Sequence, residues 1–116
     1  MASSFSTLKF ELIATGEQSG TWGTTTNNNL SVALTEAIAG STDVAFSSGN
    51  VTLTLADSAA SNPQQARNLR LNLTGTSGGV RDLIVPAIEK SYLINNGTAD
   101  IITVKTPSGS GVGVAA

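Results

Sequence analysis

The side chains best suited to acid–base chemistry in this chain are the carboxylates Asp43, Asp57, Asp82 and Asp100, and their placement argues against that use. A glycosidase pair needs two carboxyls facing one cleft. These four are scattered, each beside a strand end or turn, where aspartate ordinarily bonds to nearby backbone. The 116 residues contain no histidine and no cysteine. That removes imidazole acid–base catalysis, Ser-His-Asp triads, thiolate nucleophiles and nearly every zinc site. Gly16-Glu-Gln-Ser-Gly-Thr-Trp-Gly23 precedes a helix and invites comparison with a phosphate loop. It lacks the Gly-Lys-Ser/Thr ending and any nearby lysine, so a shaped structural turn is the better reading. Gly109-Ser-Gly-Val-Gly113 is weaker still, because no helical pattern follows. The expectation is a protein that is not an enzyme, with no catalytic residue, no cofactor and no metal site.

Binding is the remaining class of function. Trp22 is the only tryptophan, set in the glycine-rich turn. It can plug the gap between helix and sheet, contact another subunit, or stack on a sugar; the plug is the ordinary role of a lone indole. Tyr92 is the other candidate stacking surface. Arg70 lies on the non-leucine face of a strand, between Arg67 and Arg81, with Asp82, Glu89 or another subunit's acids as partners. Exposed pairs of that kind contribute under ~1 kcal/mol. Charge is sparse, six basic against eight acidic residues for a net −2. Without a basic patch, nucleic acid is not an expected partner. No apolar run reaches the ~18 residues that span a bilayer, so no membrane insertion is expected. Residues 1–7 lack the pattern of a signal peptide, which points to synthesis in a cytosol.

The elements that would position these residues are mostly strands. Leu8, Phe10 and Leu12 alternate with polar neighbours over 8–13. Asn27, Asn28 and Asn29 offer caps for a helix over about 27–39. Its stripe is Leu30, Ala33, Leu34, Ala37 and Ile38, expected to face the sheet. Val32 and Glu36 lie off the stripe, and Val32 is a candidate contact with a neighbouring subunit. Gly40 stands where a left-handed C′ residue belongs. Strands follow around Val44–Phe46, Val51–Leu55, Leu69–Leu73, Val80–Val85, Ser91–Ile94 and Ile101–Thr106, with Asn95-Asn96-Gly97 read as a hairpin turn. No period of 20–50 residues emerges, so no solenoid is expected. The fold class is mainly β (α+β): a small antiparallel β-sandwich-like domain with one short amphipathic helix packed on it. Residues 1–7 read as an N-terminal arm, 8–106 as one β-rich domain, and 107–116 as a Gly/Ser-rich connector.

Leu12-Ile-Ala-Thr-Gly-Glu-Gln-Ser-Gly-Thr-Trp-Gly-Thr-Thr-Thr-Asn27 resembles the start of a family of tail-fibre and virion structural proteins of tailed bacteriophages, the marine and cyanobacterial type. Ala66-Arg-Asn-Leu-Arg-Leu-Asn-Leu-Thr-Gly-Thr76 is similar to the family's central strand and turn. Val80-Arg-Asp-Leu-Ile-Val-Pro86, with Lys90-Ser-Tyr-Leu-Ile-Asn-Asn96 behind it, looks like its next hairpin, and Ile102-Thr-Val-Lys-Thr106, followed by glycine-rich residues, looks like its late strand. The resemblance runs in order over about 8–114, and the Gly-Thr-Trp-Gly block is its most specific part. It implies a virion structural protein made in the bacterial host cytoplasm. It also implies a homotrimer docked on tail, baseplate or capsid proteins, with a host surface glycan or receptor as a further partner. Family members usually continue past the Gly-Val-Gly-Val region, so this chain is expected to be either part of a longer fibre or a short attachment or decoration unit.

Overall fold

The computed structural model describes residues 4–16, 18–59 and 61–116. The protein is mostly β with one helical stretch, and its strands fall into three sheets. The first is a small antiparallel hairpin of β1 (Ser4–Phe5) and β2 (Glu11–Leu12), with Lys9 at φ 65° in its turn. Beyond it, the predicted antiparallel pairing is not what forms. β3 (Ser41–Ser47), β5 (Arg70–Thr76) and β7 (Leu93–Asn96) make one sheet, every neighbour parallel. β4 (Val51–Thr52), β6 (Arg81–Ile84) and β8 (Ile102–Lys105) make a second parallel set. Only β9 (Val112–Val114) runs antiparallel there, against β8.

From β3 to β8 consecutive strands alternate between the two larger sheets, so the chain advances in coils, each laying one strand on either sheet. A three-coil parallel stack is therefore present where no solenoid was expected. Its repeat is uneven. On the first sheet Val44 lies in register with Leu73, and Leu73 with Asn96. On the second, Val51 meets Leu83, and Leu83 meets Val104. In both sheets the first step along the chain is longer than the next. The extra length sits in the return arc 53–69, against 85–92 in the following coil. Parallel strands need such crossovers, whereas antiparallel neighbours can be joined by a tight hairpin. Asn96 illustrates the difference. Its Oδ1 accepts from the Thr98 N–H at 3.0 Å, and its Nδ2 donates to the Asp100 and Val114 carbonyls. The turn carries the chain across to the second sheet instead of back along the first.

Both sheets contribute to one core. Val44, Phe46, Leu71 and Leu73 from the first meet Leu53, Leu83, Val85 and Ile102 from the second side. Leu71, Leu73, Leu83 and Ile102 are fully buried, each contributing on the order of 1.5–3 kcal/mol. The alternation in Leu69–Leu73 and Val51–Leu55 indicates that face correctly. Outside the first sheet a polar ladder climbs the coils. Asn95 Nδ2 donates to Asn72 Oδ1 at 2.6 Å, and Asn72 Nδ2 to Asp43 Oδ1 at 2.9 Å. The turns stack likewise. Asp100 Oδ2 accepts from Ser77 Oγ at 2.6 Å and the Gly79 N–H at 3.0 Å. The Ser77 hydrogen bond, seconded by that amide and by Arg81, holds the Asp100 carboxyl below the usual range.

The N-terminal side departs from expectation too. The long strand over 8–13 is reduced to its last part, β2, and residues 1–3 of the arm lie outside the described residues. The helix begins earlier than predicted. α1 (Trp22–Asn28), a π-helical segment (Asn29–Leu34) and α2 (Thr35–Ala39) follow without a break. Its start uses no side-chain cap; the Gln18 carbonyl receives the Thr21 and Trp22 N–H groups instead. Gly40 is extended, φ −73° and ψ 148°, not left-handed. Glycine is needed there for space, since a Cβ would lie 2.3 Å from Asn68 Oδ1 and 2.5 Å from the Glu36 Cα. The expected connector carries β9, entered through Gly111 at φ +78°. The body measures 52 × 25 × 21 Å with a radius of gyration of 16.2 Å, against roughly 13 Å for a rounded domain of this length.

Candidate interaction surface

The helix has three faces. One packs on the chain: Ala33 is buried, and Asn29, Val32, Glu36 and Ala37 are half-buried beside it. A second is polar and exposed, with Thr24, Asn27, Ser31 and Thr35. The third is the i+4 row Trp22, Thr26, Leu30, Leu34, Ile38, in which only Leu34 is half-buried. Trp22 is 61% exposed, Leu30 54% and Ile38 63%. The expectation that Leu30 and Ile38 face the sheet is therefore corrected, as is the expectation that Trp22 plugs a gap. Val32 is half-buried beside Ala33.

The cause is Glu36. Arg67, fully buried, engages all three of its nitrogens. Nε reaches Glu36 Oε1 at 2.8 Å, NH1 the Leu8 and Lys9 carbonyls, and NH2 both the Asn62 carbonyl and Glu36 Oε1. Glu36 also receives the Gln64 N–H and Asn68 Nδ2. A buried guanidinium without a carboxylate is strongly unfavourable, so this pair sets which helix face meets the body. Exposed pairing was the expectation for Arg67; this pair instead joins the hairpin, the helix and the second coil. Nothing in the sequence matches Glu36 to Arg67, which are far apart along the chain.

Trp22 stands over an open cleft of about 490 Å³ lined by Ile13, Ala14, Gly16, Ser19 and Gly20. Gln18 fixes this turn. Its Nε2 donates to Glu11 Oε2 at 2.9 Å, and its Oε1 accepts from the Thr25 hydroxyl. Neither contact is legible in the sequence, because a glutamine between glycines carries no periodic signal.

The remaining candidates are apart from this surface. Arg70, at the start of β5 in the first parallel sheet, donates to Ser41 Oγ at 3.0 Å. Arg81 closes its own turn through the Ser77 and Gly78 carbonyls. Tyr92 is half-buried, with its hydroxyl on the Ala66 carbonyl and the Lys90 ammonium 4.2 Å from its ring centre. Burial pushes its phenol up to about 12, and burial lowers Lys90. A ring engaged in this way is a poor stacking platform. The four aspartates do not converge: Asp57 pairs with Lys9, Asp43 holds the ladder and Asp100 its turn. Among the described residues no three His, Cys, Asp or Glu side chains group to hold a metal ion. Among them, too, no helix is long and apolar enough to cross a membrane. Comparison with family models, with curated proteins and with solved structures gives no match to this chain.

Proposed function

We propose that this chain is a non-enzymatic structural protein of a bacteriophage particle, a homotrimeric tail-fibre or fibre-attachment domain that docks on tail, baseplate or capsid proteins. The observation that carries the reading is the elongated stack of parallel coils with an uncharged apolar row left open on its helix. Stacked coils resist bending because each is bonded to the next along its strands. Such a body transmits position, which is a structural task, and the open row offers a place for assembly. The Gly-Thr-Trp-Gly resemblance supplies the phage context. Light scattering on the purified chain tests the oligomer, with three chains expected; a stable monomer at micromolar concentration overturns it. Electron microscopy of intact particles then places the chain on tail, baseplate or capsid, and its absence from particles overturns the virion reading.

A second reading, a carbohydrate- or receptor-binding module or capsid decoration protein, is favoured by one feature: an exposed indole over an open cleft. Aromatic faces of this kind stack on sugar rings. Binding on a glycan array that disappears in Trp22→Ala, with circular dichroism unchanged, supports it. Indifference to all glycans removes the glycan form of this reading.

A further inference from the structure

We infer that the outward helix row Trp22, Leu30, Leu34 and Ile38 is the seat of a second copy of this chain: in the proposed trimer the identical rows of neighbouring copies face one another around the three-fold axis. The inference rests on the assembly reading above and names the surface that makes the assembly. Over residues 22–39 the helix carries a single ionisable side chain, Glu36, and that side chain is committed inward to Arg67. The outward row is free of charge along its whole length. Two identical faces that meet must juxtapose like with like, so any charge on the row would be repelled by its own copy. A neutral apolar row meets itself without that penalty.

On an α-helix a row of residues four apart drifts by about 40° per step, so Leu30, Leu34 and Ile38 would wind away from any straight partner. The turn through Asn29–Leu34 is π-helical, with i→i+5 spacing and more residues per turn. Thr35 Oγ1 donates to the Leu30 carbonyl at 3.2 Å across this widened turn. Widening sets the row back within the segment and offsets the drift outside it. The three aliphatic side chains therefore stay close to one line, the arrangement in which two helices share a seam.

At the exposures of Trp22, Leu30 and Ile38 the row presents on the order of 400 Å² of surface, in the ~300–600 Å² range of the largest apolar patch on a typical monomer, a patch that is often functional. That is about half of the roughly 800 Å² that each partner contributes to a stable interface.

The test uses the full chain and the double variant Leu30→Asp/Ile38→Asp, with Thr24→Asp/Ser31→Asp on the polar face as control. Both sites of the first variant are exposed, so circular dichroism and melting of each chain are expected to stay near wild type. In light scattering, wild type and control are expected as oligomers, and Leu30→Asp/Ile38→Asp at the 11.7 kDa of one chain. An oligomer that survives Leu30→Asp/Ile38→Asp overturns this surface and leaves the assembly reading standing. A wild type that is itself monomeric across a wide range of concentration overturns both. Equal dissociation by the control variant also overturns the inference, because it shows a response to charge anywhere on the helix.

Discussion

Removing the Glu36 carboxylate tests whether a buried ion pair, and not the aliphatic stripe, orients the helix. In Glu36→Ala the Arg67 guanidinium keeps its carbonyl partners on Leu8, Lys9 and Asn62 but loses the Glu36 counter-charge, with no exposure of its own to water. Leaving one partner of such a pair uncompensated costs about 3–5 kcal/mol. Against ~5–15 kcal/mol for a whole domain, that leaves a marginal fold. Taking ~4 °C per kcal/mol for a chain of this size, the melting temperature falls by about 12–20 °C. The loss should begin locally. Arg67 ties the hairpin through the Leu8 and Lys9 carbonyls, so amide exchange over residues 4–12 should rise before the coils lose protection. The double variant Glu36→Ala/Arg67→Met should be more stable than Glu36→Ala, since the orphan charge goes with the arginine; a coupling of about 0.5–3 kcal/mol is expected. Urea unfolding of the four proteins measures the cycle. A cost for Glu36→Ala under ~1 kcal/mol, as for an exposed pair, with additive singles, would refute the reasoning.

Two further outcomes follow from particular contacts. Tyr92 is the only tyrosine, so alkaline absorbance is a direct probe of its ring. Its folded value of about 12 lies above the ordinary 10, so the folded state holds its proton longer. The stability this contributes is whole below about pH 10 and lost as pH rises towards 12; ionisation at pH 10 in the native protein would contradict the burial. Gly40→Ala should destabilise by about 1–3 kcal/mol through overpacking against Asn68 and Glu36. The usual Gly→Ala gain of ~0.4–1 kcal/mol at an ordinary φ is the opposite sign, and thermal melting decides between them.

The sequence is legible where a rule acts over a short span. Alternation puts Leu71, Leu73, Leu53 and Val44 inside. The apolar spacing locates the helix but not its start, since Asn27, Asn28 and Asn29, expected as caps, lie within it. What local rules do not contain is which strand lies beside which. Thr74-Gly-Thr-Ser-Gly-Gly79 reads equally as a hairpin loop or as a bend that changes sheet. The choice is made by Ser77 and Gly79 bonding to Asp100, one coil further on, and by Arg81 closing its own turn. The coil period is hidden because the arc 53–69 is much longer than its counterpart 85–92. Unequal arcs destroy the fixed spacing by which a solenoid shows itself. Nor does one coil repeat the residues of the next, since Val44, Leu73 and Asn96 occupy equivalent places in the first parallel sheet.

The helix stripe departs from its expected orientation for a reason that bears on function. Leu30, Leu34 and Ile38 say which face is apolar, not which face is covered. With one acid on the helix and one fully buried arginine below it, the ion pair outweighs the aliphatics. An uncompensated buried charge costs about 3–5 kcal/mol, whereas leaving a leucine or isoleucine half in water forgoes only part of ~1.5–3 kcal/mol each. Buried Ala33 and half-buried Ala37 fill the space against the body at small volume, so little apolar burial is lost inside. The exposed row is thus the consequence of satisfying Arg67. Its apolar area is stabilising only once another surface covers it, the role that the proposed assembly gives to this helix.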